Sequence, residues 1–217
     1  LAAKIAKKKS VVTVHGFSSD NININLLKKS FLIVLDFFTL LLSDRIIPIS
    51  NYVKNRYLLR IFKYKVNEVI YNLPTEKKRL SKSNSNFNKS KSDIIITTVS
   101  RVTVEKGIPT ILKLANHYKS NPHIKFVVVG DGDFLSDAKY LIKQKNLEST
   151  VTFLGFKENV YEVLDQSDIF LLPTLHETLS IATLEACKAK LPIVCSNTGG
   201  LSEIVQNNFN GFLVNKH

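Results

Sequence analysis

Cysteine is nearly missing from this chain: Cys187 and Cys195 are the only two among 217 residues. Two thiols cannot build a disulfide framework, and their C-x7-C spacing fits no metal-site signature. A reducing compartment is therefore expected. Long apolar runs are missing too. The longest, FLIVLDFFTLLL from Phe31 to Leu42, is interrupted by Asp36 and falls short of the roughly 20 residues that cross a bilayer. It reads as a buried or surface-lying helix. The amino end, LAAKIAKKKS, is basic, but valines and a histidine follow it where a secretory leader would carry an apolar region and a cleavage site, so no signal peptide is read. Because Leu1 stands in place of Met, the chain is expected to start inside a larger protein.

Acidic residues are scarce in one half only. Residues 1–92 hold 18 Lys and Arg against 5 Asp and Glu, whereas residues 93–217 hold 12 against 13, within a net charge of +12. Such asymmetry points to two units in different surroundings, the basic one suited to anionic membrane or polyanion surfaces. Compositional drift toward Lys and Asn is the alternative. The basic half carries no aromatic interleaving or groove-reading motif, which argues against nucleic acid as a partner. No internal repeat of fixed period is present.

What the chain does have is a globular composition, 44% hydrophobic and 22% charged. From Thr75 to Ser92 the apolar residues thin to Leu80 and Phe87 amid Lys, Ser and Asn, a composition that buries too little surface to fold. Three regions follow: a first, partial domain over 1–74, a linker over 75–92, and a second domain over 93–217. In the first, VVTVHG reads as a buried strand, Leu26 to Leu42 as a helix, and DRIIPIS as a strand leading to Ser50, a helix cap. NYVKNRYLLRIF is amphipathic, and KVNEVIYNLP reads as a short strand ending at Pro74. In the second, DIIITTVS, IKFVVVGDGD, TVTFLG, SDIFLLPT, LPIVCS and GFLV alternate with helical segments, among them about Ile108 to Ser120 and Leu135 to Lys145. Alternation of this kind means βαβ units on a parallel sheet, so the fold class is α/β.

Ligands of open α/β sheets sit beyond the carboxyl ends of the strands, which directs attention to the residues that follow each apolar run. Arg101 and Lys106 follow DIIITTVS where a helix begins. Two cations beside free helix N–H groups can clamp a diphosphate, or can be an ordinary solvated loop. After DIFLLPT, Glu177 and Glu185 stand eight positions apart, with a helix read from about Leu179. Eight helical residues rise about 12 Å, which would let one carboxylate meet a sugar and the other a ribose, each accepting hydroxyl hydrogen bonds.

SRVTVEKG, FVVVGDGD, VTFLGF, SDIFLLPTLHETLSIATLEACKAKLPIVCSNTGGLSEIV and NGFLV, in this order and spacing, resemble the family 4 (group 1) glycosyltransferases of the GT-B fold over nearly all of residues 94–215. The resemblance implies two Rossmann-like domains, the first incomplete here, and a retaining transferase that needs no metal and no cofactor. Its donor substrate would be a nucleotide diphosphate sugar held by the second domain, and its acceptor a glycan or a lipid-linked or similar molecule. Arg101 and Lys106 fall where such enzymes hold the diphosphate, Glu177 where they contact the transferred sugar, and Glu185 where they hold the ribose. Thr178, Leu179 and Ser180 fall in the donor-binding stretch between them. Gly130 and Gly132 match a turn that lets backbone approach the donor, although a conformational need alone would also select glycine. Asp131-Gly132-Asp133 reads as that turn and not as a metal-holding Asp-x-Asp. VVTVHG resembles the strand whose terminal histidine, here His15, reaches the reacting sugar from the acceptor side; His176 shapes the pocket.

The sequence departs from the family pattern at Thr178 and Ser180, where glycines are frequent, which leaves the donor's identity open, and at Asn72-Leu73, where Asn-Gly is usual. A glycine-rich loop of the first domain would lie before Leu1 and the closing helices after His217. Location in the cytoplasm, peripheral on the inner face of the membrane, is the expectation. An inactive nucleotide-sugar-binding fragment or paralogue is the competing reading. The GT-B-fold nucleotide-sugar epimerases share the architecture, but the Arg101/Lys106 and Glu177/Glu185 set argues for transfer.

Overall fold

The computed structural model describes residues 2–17, 25–74 and 89–215. The chain divides into two compact units, residues 1–72 and 73–217. Residues 75–88 of the expected linker lie outside the described residues.

In the first unit, a short helix α1 (Ala2–Ile5) precedes strand β1 (Val11–Val14), helix α2 (Leu26–Leu42) and strand β2 (Arg45–Pro48), and β1 pairs with β2 in parallel. α2 starts at Asn25, whose side chain accepts from the Lys28 amide, and its carboxyl end is closed by Lys65 Nζ, which donates to the carbonyls of Leu40, Leu41 and Ser43 at 3.1, 2.7 and 2.8 Å. An ammonium on the last carbonyls satisfies orphan acceptors and complements the negative end of the helix dipole. α2 lies on the surface: of its large apolar side chains Leu40 is buried, whereas Leu27, Phe31, Val34 and Phe38 are exposed.

Three expectations for this unit change. β1 is not a buried strand; only Val14 is buried, because among the described residues β2 is its single neighbour. The amphipathic segment after Ser50 breaks at Asn55 and Arg56 into helices α3 (Asn51–Lys54) and α4 (Tyr57–Ile61), which together bury Val53, Leu58 and Leu59. Ser50 caps α3 by accepting from the Val53 amide at 3.2 Å. The strand expected over 65–74 does not form. Val66 makes one parallel bridge with Ile46, and the Ile70 amide reaches the Pro48 carbonyl at 3.1 Å, but Pro48 has no N–H with which to continue a ladder.

The second unit is a six-stranded parallel sheet in the order β5-β4-β3-β6-β7-β8. Its strands are β3 (Ile94–Val99), β4 (Ile124–Val129), β5 (Val151–Gly155), β6 (Ile169–Leu172), β7 (Ile193–Ser196) and β8 (Gly211–Val214). Helices α5 (Ile108–Tyr118), α6 (Leu135–Lys145), α7 (Tyr161–Leu164) and α8 (Ile181–Lys188) connect them. Alternate residues of β4 serve opposite faces. Phe126 and Val128 pack with Ile111 and Ala115 of α5 and Ile142 of α6, whereas Val127 and Val129 pack with Ile95 and with Val163 of α7. Burial on both faces is why these strands read as continuous apolar runs.

The sheet's topology positions the site. β3 pairs with β4 on one side and with β6 on the other, so the winding direction reverses between β3 and β6. Connections on the two sides then leave in opposite directions, opening a crevice beyond the carboxyl ends of these two strands.

Candidate functional site

Both motif segments singled out in the sequence leave the sheet at this switch point. After β3, Val102 is fully buried and its amide donates to the Asp131 carbonyl at 2.9 Å, which pins the loop from its middle. Arg101, one residue earlier, is thereby turned out to solvent, and its guanidinium makes no hydrogen bond or ion pair among the described residues. The Lys106 amide donates to Thr103 Oγ1 at 3.2 Å, closing a turn just before α5.

After β6 the chain crosses to meet that turn. The Leu175 amide donates to the Glu105 carbonyl at 2.8 Å, and the buried Thr174 hydroxyl bridges the carbonyls of His176 and Glu105 at 2.9 and 3.2 Å. These bonds bring Lys106 Nζ to 2.8 Å from Glu177 Oε2, with the two side chains 13% and 14% exposed. Lys106 Nζ also reaches the His176 carbonyl at 3.5 Å. His176 thus contributes its backbone, through Thr174 and Lys106, to the shape of the loop.

Glu177 does not share a helix with Glu185. α8 begins at Ile181, after Ser180, whose Oγ accepts from the Thr183 amide at 3.1 Å. The sequence places a helix-capping serine where the helix was expected to be under way, so the Glu177–Glu185 separation is not a helical rise. Glu185 stands about one turn, roughly 6 Å, inside α8. Thr178 is half-buried in the loop, and Leu179 is buried beneath it. Ser180, read as a departure from the family pattern, has a structural duty as the cap.

Gly130 and Gly132 follow β4 and carry the backbone across the loop after β3. A Cβ on Gly130 would fall 1.9 Å from the Ser100 carbonyl oxygen, and one on Gly132 would fall 2.4 Å from that of Val102. Close packing of two backbones alone requires glycine here. Asp131 folds back on this turn, its Oδ1 accepting from the Gly132 amide at 2.7 Å.

His15 belongs to the first unit, at the end of β1, and is exposed. Asn72 Nδ2 lies 3.1 Å from its Nδ1. An amide donating to Nδ1 leaves the ring proton on Nε2. The sequence marks Asn72 only as part of a departure from the usual Asn-Gly, and nothing in its spacing from His15 signals the pairing. Burial, with Cys187 nearby, pushes the Cys195 thiol up to about 12, and burial also raises that of Cys187.

Two residues escaped sequence reasoning although they stood inside a quoted motif. Gly199 and Gly200, after β7, lie under the Glu177 backbone, with the Gly200 amide 3.4 Å from the Glu177 carbonyl oxygen.

A parallel sheet whose winding reverses between two neighbouring strands, with an exposed guanidinium and a lysine–glutamate pair on the loops that leave there, is the architecture of the Rossmann-like α/β units. The family model described as Glycosyl transferases group 1 matches residues 81–217, and the chain belongs to that family. Among its relatives is the Escherichia coli UDP-Gal:alpha-D-GlcNAc-diphosphoundecaprenol alpha-1,3-galactosyltransferase, 28% identical over 99% of this chain and 58% of that protein. The amylovoran biosynthesis glycosyltransferase AmsK of Erwinia amylovora is 32% identical over 54% of this chain and 31% of its own length. The crystal structure of Anabaena Alr3699/HepE in complex with UDP-glucose superposes with a TM-score of 0.76 at 19% identity, over 99% of this chain and 60% of that one. The fold is thus of the GT-B type. This chain spans little more than half the length of the first of these relatives, and less than a third of the second.

Proposed function

We propose that this chain supplies the donor site, and part of the acceptor side, of a retaining glycosyltransferase that moves a sugar from a nucleotide diphosphate to a glycan or lipid-linked acceptor. The observation that carries the reading is the pairing of Lys106 with Glu177 at the switch point of the sheet, with Arg101 exposed earlier on the loop that carries Lys106. Arg101 and Lys106 hold the diphosphate and balance the charge that grows on it as the glycosidic bond breaks, a role that replaces a metal ion. Glu177 accepts hydroxyl hydrogen bonds from the transferred sugar and Glu185 from the ribose, while Thr178, Leu179 and Ser180 line the space between. His15 serves the reacting sugar from the acceptor side.

Relatives make the substrate classes concrete. The Escherichia coli protein is named for a uridine donor and a diphosphoundecaprenol-linked acceptor, and the Anabaena structure holds UDP-glucose. A lipid-linked acceptor suits a protein resting on the inner face of a membrane. No helix among the described residues is long and apolar enough to cross one, but α2 exposes an apolar face in the basic part of the chain. A thermal-shift panel of UDP-, GDP- and ADP-sugars on the intact protein tests the donor assignment. One nucleotide class should raise the melting temperature, and Arg101→Ala should shrink the rise at equal ligand concentration; a flat panel would remove the reading.

A further inference from the structure

We infer that Gly199 is a positioning residue for Glu177, holding the carboxylate at the sugar end of the donor site through the Glu177 backbone; the inference rests on the donor-site reading above. Gly199 has φ +57°, and a Cβ built on it would fall 1.5 Å from the Glu177 carbonyl oxygen, a main-chain atom that no rotamer change can move aside. The turn beneath Glu177 cannot retreat. Leu201, fully buried with Phe170 and Ile193, anchors it from below, and the Leu201 and Val205 amides close it on the carbonyls of Thr198 and Leu201 at 3.2 and 2.9 Å. From the other side, the Leu175 amide fixes the loop to Glu105 at 2.8 Å, and Thr198 Oγ1 reaches the Leu175 carbonyl at 3.5 Å. Glu177 is therefore clamped twice, by Lys106 at its carboxylate and by the bare backbone of Gly199 at its carbonyl. Any side chain at position 199 has to tilt the Glu177 peptide, which swings the carboxylate while Arg101 stays in place on its own loop.

Titration calorimetry with UDP and UDP-glucose on the intact protein reads this as the ratio of the two dissociation constants. Gly199→Ala should leave UDP affinity unchanged or tighten it, by no more than Glu177→Gln does, and raise the UDP-glucose to UDP ratio about tenfold, the scale of charge-assisted hydrogen bonds lost from the sugar. Glu177→Gln should raise the ratio similarly, and adding Gly199→Ala to it should raise it no further, because both act through one contact. Gly155→Ala is the control for backbone strain: its φ is +68°, yet nothing lies within 4 Å of its Cβ, so the ratio should stay at the wild-type value. Should Gly199→Ala fail to fold, Thr198→Ala should shift the ratio in the same direction by about twofold. An unchanged ratio in the folded variant, or an equal rise in Gly155→Ala, overturns the positioning role alone. Where the panel selects GDP or ADP, the same ratio is read with that nucleotide and its sugar; absence of wild-type affinity for all three classes overturns the donor-site reading and this inference with it.

Discussion

Lys106 Nζ and Glu177 Oε2 sit 2.8 Å apart on loops from different strands, at the one place where the sheet reverses its winding. The lysine expected to hold a diphosphate is thus already engaged by the carboxylate expected to hold the sugar. An arriving phosphate must compete for that ammonium, and in doing so frees the carboxylate to accept hydroxyl hydrogen bonds. Glu177→Gln should therefore bind UDP more tightly, by about threefold to tenfold, while losing most of its transfer rate. In a Lys106→Met background the tightening should vanish, since it acts through the lysine; persistence there would reduce the effect to general charge repulsion.

Arg101 has no such competitor. Its guanidinium makes no bond among the described residues, so its worth to a bound diphosphate is undiluted. Arg101→Ala should weaken nucleoside diphosphate binding by roughly 1.5 to 3 kcal/mol. Equal affinity of variant and wild type in calorimetry would take Arg101 out of the site.

Catalysis by the intact protein should survive excess EDTA and release product of the donor's own anomeric configuration, both readable by NMR of the reaction. On the proposed reading, Arg101, Lys106 and helix amino ends would supply the positive charge that a metal would otherwise bring. Glu185→Ala should raise KM with kcat little changed, because a ribose contact is nearly the same in ground and transition states. Loss of turnover in EDTA that manganese restores would contradict the metal-free scheme.

Vesicle co-sedimentation should show reversible, salt-sensitive binding to anionic bilayers. The exposed apolar face of α2 would enter the interface, and nearby lysines and arginines contribute about 1 kcal/mol each. Phe31→Asp combined with Phe38→Asp should abolish it. Binding indifferent to salt, lipid charge and these changes would mark α2 as a face covered by protein.

Acid should loosen the first unit in a defined window. The Lys4 ammonium at 2.7 Å, followed by the Ser10 amide, holds the Asp44 carboxyl at about 2 against an ordinary 3.8. A depressed carboxylate pKa means stability that is fully present above about 4 and is lost as pH falls through about 2. The stability difference between wild type and Asp44→Asn, followed from pH 5 to pH 2, should shrink across that interval. A difference constant over the whole range would show that the Asp44 contacts do not respond to its charge.

The sequence by itself determined the fold class, the order of the second unit's strands and helices, and the two segments that meet at the switch point of the sheet. Apolar runs that must be buried on both faces, separated by helical periods, allow little besides a parallel sheet, and the family motifs spanned nearly all of it. What the sequence misjudged depended on partners far along the chain. β1 reads as buried although β2 is its single neighbour among the described residues, and residues 65–74 read as a strand although only Val66 makes a bridge and Pro48 offers no donor. Ser180 shows the limit at the site: the spacing of Glu177 and Glu185 reads as a helical rise, whereas the helix begins only at Ile181, after a cap that Ser180 forms with Thr183. Only the tertiary structure decided that Lys106 meets Glu177, that Asn72 faces His15, and that Gly199 supports the Glu177 backbone. These pairs lie 71, 57 and 22 residues apart, and their meeting follows from strand order and loop packing, which no local pattern encodes.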